Sequence, residues 1–530
     1  MRVEQVLSDV RTLIPWDFKT LLIASVGLYV VTTLWGLVYN LYFHPLAKYP
    51  GMGPFHLRNL EYLLRTSSGP ALRAAFEFPK AFSGLKGRGF ADIKLLHDKF
   101  GSVVRVSPSL LSFNTAQAWK DIYGLKSDRT ELYKDLSYYE STPNDILVAP
   151  QPHHTRIRKH FAHAFSDTAL LEQEPLLTQY FDLLIARLEE QISGPCNGRV
   201  NITAYYNFTT FDIIGHFMFG EPFGCLQSGE YHPWISTIFA AIKYFGVLRF
   251  IATYPILELN LKALLKVVPS LSAKRDEHFR FAIEKIENHL QNRTESKDFL
   301  SYLLSRVDDR GLSRDEIVDS GRTLILAGSE TTATMLSGLT YHLLRNPTVL
   351  HRVQSEVRAA FQNQDEITLR SVSKTGLLPY MEAVIQESFR MYPPVPAILP
   401  RITGSGGAII DGNFVPKNVS VGVHQWSTYR SSANFACPDT FDPERWLPDP
   451  PAKYRGDVKA ALQPFHLGPR GCVGKSLAYH EIRSILARVL WNFDLQLDEA
   501  TRNWEDQGEY VIWDKPPLWV RLKHRAVQSM

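Results

Sequence analysis

Cysteine is scarce in this sequence. Only Cys196, Cys225, Cys437 and Cys472 occur in 530 residues, and none forms a C-x-x-C pair with another. A disulfide framework and zinc-type spacing are thereby excluded, and a reducing compartment is expected for the folded part. Charge of one sign is also missing. The net charge of +4 is nearly neutral for this length, so no nucleic-acid partner is expected. There is no low-complexity linker and no internal repeat. The glycine run GSGG at 404–407 lacks the following Lys-Ser/Thr and helix of a phosphate loop, which leaves a hairpin turn. No flavin or dinucleotide fingerprint occurs, so any electrons must come from another protein.

What is present begins with one apolar run, LLIASVGLYVVTTLWGLVY, from Leu21 to Tyr39. About 20 such residues span the hydrocarbon core of a bilayer as a helix. Trp35, Tyr39 and Tyr42 crowd its far end, where amphipathic rings favour the lipid–water boundary. The run is longer than that of a signal peptide and lacks a small-residue cleavage site; a buried core helix is the competing reading. The chain divides into an N-terminal flank (1–20), a transmembrane anchor (21–42), a proline-rich hinge (43–58) containing HPLAKYPGMGP, and one mostly helical unit (59–530). Charges on both sides of the anchor, Arg2, Arg11 and Lys19 before it and Lys48 and Arg58 after it, leave orientation open.

The large unit reads as mainly α with small β-sheets, an α+β fold. Strand patterns occur at 102–114, at 408–423 and in YVIW and LWVRL near the C-terminus, with Asp411-Gly412 as a turn. The clearest helix starts at a capping box of Ser313 and Glu316 and ends at Asn346-Pro347. It covers about 32 residues, on the order of 48 Å, and must cross the whole domain. Its middle, AGSETT from Ala327 to Thr332, is poor core filling. Gly328 costs about 1 kcal/mol against alanine, and Glu330 brings a carboxylate to the domain centre. Such violations mark function. A second helix reads YMEAVIQESFRMYPP, and its Glu387 and Arg390 share a face. They form either a solvated surface pair or a buried pair that holds a third group, for which Arg445 in FDPERW is the candidate.

The stretch FHLGPRGCVG, Phe465 to Gly474, carries the chemistry. Gly468, Gly471 and Gly474 let the backbone turn tightly and approach a flat ligand. The helix that follows aims its N-terminus at Cys472, which favours a thiolate. One thiolate without a second ligand at metal spacing suits a macrocycle-bound iron, and Arg470 is placed to meet the acid groups of haem. Taken alone, Cys472 reads more readily as a small buried hydrophobe, the commonest fate of a free cysteine; the pattern FxxGxRxCxG reverses the balance.

These motifs together resemble the cytochrome P-450 family of haem-thiolate monooxygenases. FHLGPRGCVG resembles its cysteine loop, AGSETT its oxygen-activating helix motif, ESFR its ExxR pair and PERW its PERF-like segment, in the family's order. The anchor and hinge resemble its microsomal members, and NLYFHPLAKYPG and HTRIRKHFAHAF its fungal members of secondary metabolism. The resemblance implies Cys472 as axial ligand of haem b (iron protoporphyrin IX), with Phe465 shielding the sulfur and Gly474 completing the loop. It implies Arg470, Arg401, His154 and Arg158 as haem propionate contacts; histidine replaces the family's usual tryptophan at 154. Glu387, Arg390 and Arg445 match the structural charge triad, and Thr331 with Glu330 the alcohol–acid pair of proton delivery. It implies insertion of one oxygen atom of O2 into an apolar small molecule, a terpenoid, polyketide or alkaloid intermediate. Electrons would come from NADPH through a separate NADPH–cytochrome reductase, with cytochrome b5 as a further donor. The enzyme would sit in endoplasmic reticulum membrane lipid as a single-pass protein with its catalytic domain in the cytosol. Arg156, Lys159, Lys475 and Arg483 are candidates for a basic docking face. An oxygen-independent haem-thiolate isomerase or dehydratase and a non-enzymatic haem-binding protein are the rival readings.

Overall fold

The computed structural model describes residues 18–49, 70–126, 130–139, 141–267, 280–281, 283–289 and 311–525. Residues 1–17 of the expected flank and 50–58 of the expected hinge lie outside the described residues.

The apolar run folds as a helix, Phe18–Val38, followed by a π-helical turn, Tyr39–Phe43. The span Ile23–Phe43 is long and apolar enough to cross a membrane, and none of its apolar window is packed inside the protein. That exposure argues against the core-helix reading. The turn after it is tied to the large unit: Arg105, fully buried, donates from Nη1 to Asn40 O (3.0 Å), and Asn40 Nδ2 donates to Ala75 O (3.0 Å).

The expected long helix is Arg314–Arg345, capped by Ser313 with both halves of the capping box formed. Asn346 ends it and Pro347 starts the next helix, as proline there requires. We refer to it as the central helix. It is buried along most of its length against the helix Ile202–Phe219, which is itself buried on nearly all sides. A helix buried all round is apolar or has its polar groups paired: IIGHFMF is apolar apart from His216, whose Nδ1 bonds the Tyr180 hydroxyl (2.9 Å), and Asp212 accepts from Cys225 N–H and Leu226 N–H. Pro379–Met391 crosses the central helix near Gly338, where the chain following it needs space. A Cβ on Gly338 would lie 2.1 Å from Cδ1 of Tyr392. Tyr392 cannot move aside: it is buried, stacks on Trp513 (5.2 Å) and donates to Gln507 Oε1 (2.8 Å).

The strands form small sheets, as expected. Val103–Ser107 and Leu110–Phe113 pair antiparallel, Leu110–Phe113 runs parallel to Ser420–Val423, and Ser420–Val423 pairs antiparallel with Arg401–Ile402. A two-residue strand, Tyr133–Lys134, adds to the edge and sets Lys134 directly opposite Arg401. The hairpin Ala408–Ile410/Asn413–Val415 turns through Asp411 and Gly412, both at positive φ, the left-handed pair that a tight hairpin uses. GSGG closes a turn, with Gly407 N–H donating to Gly404 O (2.9 Å). A separate sheet joins Arg199–Asn201, Trp519–His524 and Phe493–Leu497.

Gly338→Ala is expected to destabilise the protein by about 1–3 kcal/mol through overpacking. Thermal unfolding of wild type and variant checks this; an unchanged midpoint would show that Tyr392 has somewhere to go.

Candidate active site

The cysteine loop is built from short backbone bonds. Cys472 N–H donates to Phe465 O (2.8 Å), Gly471 N–H to Gly468 O (3.0 Å) and His466 N–H to Gln463 O (2.9 Å). Gly468 has φ +76°, and a Cβ there would lie 1.9 Å from Tyr123 O. Only glycine lets the loop seat on the end of the helix Ala116–Tyr123. Gly471 is less constrained. Gly474 has φ −88° and space for a side chain, so the tight-turn role expected of it is not needed. Its contribution is the N–H that bonds Cys472 as the helix Lys475–Asn492 begins.

Cys472 is reachable by solvent although the chain crowds it on nearly every side. A side chain with both properties faces an interior space. Burial pushes its thiol up, outweighing the Gly474 N–H, Arg158 and Lys475, which all pull it down. The helix end alone therefore does not lower the thiol as expected; a metal cation bound there would displace its proton. Phe465 stands edge-on to Phe389 (5.2 Å) and against Tyr479 (5.1 Å), anchored in the core beside the loop.

Beside the loop lies a cluster of positive charge. Arg158 Nη1 donates to Gly471 O (2.6 Å) and its charge is felt at Cys472. Arg470 Nε donates to Glu131 Oε1 (2.7 Å) and Nη2 to Ala149 O (2.9 Å). Arg401 is buried opposite Lys134. Like charges directly opposite on paired strands repel, and burial together with Arg401 and Arg470 pushes the Lys134 ammonium well below its ordinary range. His154 is buried and held neutral, its imidazole brought down to about 3 by burial and then by Arg470, Arg158, Lys134 and Arg401. These cations outnumber the carboxylates near them, Glu131 and Asp145, among the described residues. Arg401 Nη1, Arg470 Nη1 and His154 Nδ1 are buried without a partner. Buried donors are normally satisfied, so this cluster fits an acid-bearing cofactor. Arg401, Arg470, His154 and Arg158 were expected from their motifs. Lys134 was not, because its partner in the sheet is remote in sequence.

The central helix exposes Ala327 and part of Thr331 in the middle of a buried run. Thr331 Oγ1 donates to Ala327 O (2.6 Å). Gly328 is the costly residue of AGSETT. Its missing Cβ faces Ile214, 3.1 Å from Cδ1, so the glycine serves the packing of Ile202–Phe219. Glu330 turns away from Thr331 and pairs with Lys515. Ile146 N–H donates to Ser320 Oγ (3.0 Å), which sets segment 146–148 alongside the same helix.

The charge triad is buried. Glu387, Arg390 and Arg445 are each 0% exposed. Arg390 grips Glu387 with two bonds of 2.8 Å, and Arg445 Nε donates to Glu387 Oε1 (3.1 Å). Asp442 N–H and Trp446 Nε1 also donate to Glu387 (2.8 and 2.9 Å). Arg390 Nη1 donates onward to Tyr429 O (3.0 Å), and the Tyr429 hydroxyl accepts from Gln463 N–H (3.1 Å) at the foot of the cysteine loop. Of the surface cations, Arg156 is taken up by Glu316 and Arg483 pairs with Glu382 (2.9 Å).

Residues 80–520 match the cytochrome P450 family. Similar proteins include cytochrome P450 monooxygenase astJ of Aspergillus oryzae, 41% identical over 93% of this chain and 95% of that one. The trichothecene C-4 hydroxylase of Trichoderma arundinaceum is 42% identical over 96% of both chains. The averantin hydroxylase of Dothistroma septosporum is 40% identical over 96% of this chain and 92% of its own.

Glu387→Ala strands two buried guanidiniums and is expected to cost about 3–5 kcal/mol. A large fall in the thermal midpoint and in the yield of soluble protein is the outcome to look for; a midpoint near wild type would place the triad outside the stability of the loop.

Proposed function

The chain belongs to the cytochrome P450 family, and on that premise we propose that it is a membrane-anchored haem-thiolate monooxygenase of fungal secondary metabolism. Its substrate is an apolar small molecule, a terpenoid, polyketide or alkaloid intermediate. Cys472 carries the reading: a thiol open to an interior space, beside buried cations whose donors lack partners. The family's cofactor is haem b, which when bound supplies the activation of O2. Cys472 would ligate its iron, and Arg401, Arg470, Arg158, His154 and Lys134 would meet its propionates.

The chain's own residues do the rest. The aromatic wall of Phe465, Phe389 and Tyr479 keeps water from one side of the sulfur loop. The Thr331 hydroxyl, on an accessible face of the central helix, holds a proton donor in place. Electrons reach the site from NADPH through a separate membrane reductase, with cytochrome b5 as a further donor. Lys159 and Lys475, which form no ion pair among the described residues, support a basic docking face there. Oxidation of a C–H bond is supported by two relatives that are hydroxylases by name.

The exposed apolar helix 23–43 supports anchoring in a membrane, in this reading that of the endoplasmic reticulum, with the catalytic unit on the cytosolic side where the reductase is. Leu248, Ile256, Leu257 and Leu259 add exposed apolar surface, and Tyr254 lies within electrostatic reach of Tyr29 on the anchor. Metabolite profiling after gene deletion, with the accumulated precursor returned to the protein, reductase and NADPH, tests the reading. Conversion without NADPH would favour the isomerase or dehydratase instead.

Cys472→Ala should abolish the Soret band typical of cysteine ligation in the reduced protein under carbon monoxide; a retained band sinks the assignment. Thr331→Ala should keep that band and divert NADPH electrons to peroxide by a factor of about 10² against product formation. Unchanged coupling would remove Thr331 from proton delivery.

A further inference from the structure

A groove of about 610 Å³ opens next to the cysteine loop, where the helix Lys475–Asn492 meets the one-turn helix Leu369–Val372 and the loop after it. Arg370, Lys475, His480 and Arg483 line it, against two carboxylates, Asp167 and Glu382. Glu382 is taken by Arg483 (2.9 Å), and Asp167 lies 3.4 Å from His480 Nε2. Arg370 and Lys475 are exposed and form no ion pair among the described residues.

One hydroxyl faces this positive groove. Ser373 caps the end of Leu369–Val372, is exposed, and has its Oγ 3.4 Å from His480 Nδ1. It begins a loop whose residues 373–376 are all exposed. Arg370 stands three positions before it. An arginine at that distance is a charge pattern that serine kinases read. The spacing alone does not single out a site, since Arg-x-x-Ser also ends at Ser313 and Ser355, and at Ser68 and Ser296, which lie outside the described residues. Ser355 is mid-helix with its Oγ donating to His351 O (2.8 Å), and Ser313 Oγ accepts from Glu316 N–H (3.2 Å) as the cap of the central helix. Of these three described serines, Ser373 is the one in a loop beside unpaired cations. A helix of one turn is unstable by itself. Leu369–Val372 is held by burial of Leu369 and Val372 and by Leu369 N–H donating to Glu174 Oε1 (2.6 Å). So short a segment opens locally without unfolding the domain, as a kinase cleft requires.

We propose that Ser373 is a phosphorylation site for an arginine-directed protein kinase and that the groove holds the phosphate on Arg370 and Lys475. The step is a phosphoryl transfer. The Ser373 Oγ–H bond breaks and an Oγ–P bond forms. The bond from the γ-phosphorus of ATP to its bridging oxygen breaks, ADP leaves, and the serine proton passes to the kinase's base. No electrons are exchanged. Phosphoserine brings a charge of about −2 and three acceptor oxygens. Placed there, it makes charge-assisted bonds to cations that have no carboxylate and turns the groove negative. The consequence rests on the monooxygenase reading above: Lys475 is withdrawn from the basic face that docks the reductase, and electron supply falls with no change at the sulfur loop.

The charged and titratable groups facing Ser373 are Arg370 on its own segment; Lys475, Tyr479, His480 and Arg483 on Lys475–Asn492; Asp167 on the short helix Asp167–Glu172; and Glu382 on Pro379–Met391. Burial pulls the His480 imidazole down and Asp167 holds it up. A phosphate at its other nitrogen acts in the same direction as Asp167.

The test treats the full-length, haem-loaded protein with ATP and calmodulin-dependent kinase II, which reads Arg-x-x-Ser, and maps phosphate by mass spectrometry. Ser373 should be modified in most molecules, and Arg370→Ala should slow the reaction at least about tenfold. No phosphate at Ser373, or phosphate only at serines such as Ser68 or Ser296, overturns the site. Phosphorus NMR then titrates the phosphoserine. Its midpoint should lie about half a pH unit below the ordinary value near 6, about threefold in proton affinity, and Lys475→Gln should bring it back. Equal midpoints in the two proteins overturn the cradle. Phosphorylation should raise KM for the reductase about tenfold, with kcat at saturating reductase and the Soret band under carbon monoxide unchanged. Ser373→Ala should keep the unmodified KM after kinase treatment. An unchanged KM in the phosphorylated wild type overturns the effect on docking. If the unmodified protein consumes no NADPH with reductase, the monooxygenase reading falls, and the mass and NMR readouts still decide the site.

Discussion

The fold around the active site depends on one buried carboxylate. Glu387 accepts from Arg390, Arg445, Asp442 N–H and Trp446, and thereby ties the helix Pro379–Met391 to the long irregular stretch that leads to the cysteine loop. Irregular chain has no ladder to hold it, so its backbone carbonyls need donors from elsewhere. Arg390 and Arg445 supply them to Tyr429, Thr440 and Ala436. Through Tyr429 and Gln463 the same network reaches the segment that positions Cys472. Two buried guanidiniums on one carboxylate would be unfavourable without these onward bonds and without Asp457, which takes the remaining charge of Arg445.

A second constraint is left open by the protein itself. Arg158, Arg401, Arg470 and Lys134 gather near His154, and the carboxylates beside them do not balance their charge. Small mixed sheets tolerate a repulsive cross-strand pair such as Lys134–Arg401 only where something else offsets it. The cofactor of the family brings acid groups of the right sign. An acid-bearing ligand that met these cations would stabilise the folded chain.

The central helix faces three chemical environments. On one side, Ala327 and Thr331 face accessible space; on another, Glu330 and Thr334 face Lys515 and a polar pocket; on a third, Gly321 and Gly328 let Met218 and Ile214 approach closely. One helix of mixed sequence serves all three because its faces are read by different neighbours. This explains why AGSETT looks poor as core filling when judged by composition.

Much was legible beforehand because it is local. The Ser313–Glu316 capping box, the Asp411-Gly412 hairpin, the apolar N-terminal helix and the glycine-bounded cysteine loop each follow from residues within a few positions of one another. What was not legible depends on long-range contact. Lys134 joins the cation cluster only because an edge strand pairs it with Arg401. Gly328 is glycine because of Ile214, and Gly474 proves free where it was expected to be constrained. Whether Glu387 and Arg390 lay on the surface or in the core was open until Arg445 met them. The sequence by itself determined the glycine-bounded cysteine loop, the helix that crosses the domain and the residues that begin and end it, since capping and turn chemistry act over a few bonds. Only the tertiary structure decided which charges are buried together and which way Glu330 turns, because burial and Coulomb forces act between groups that the chain brings together through folding.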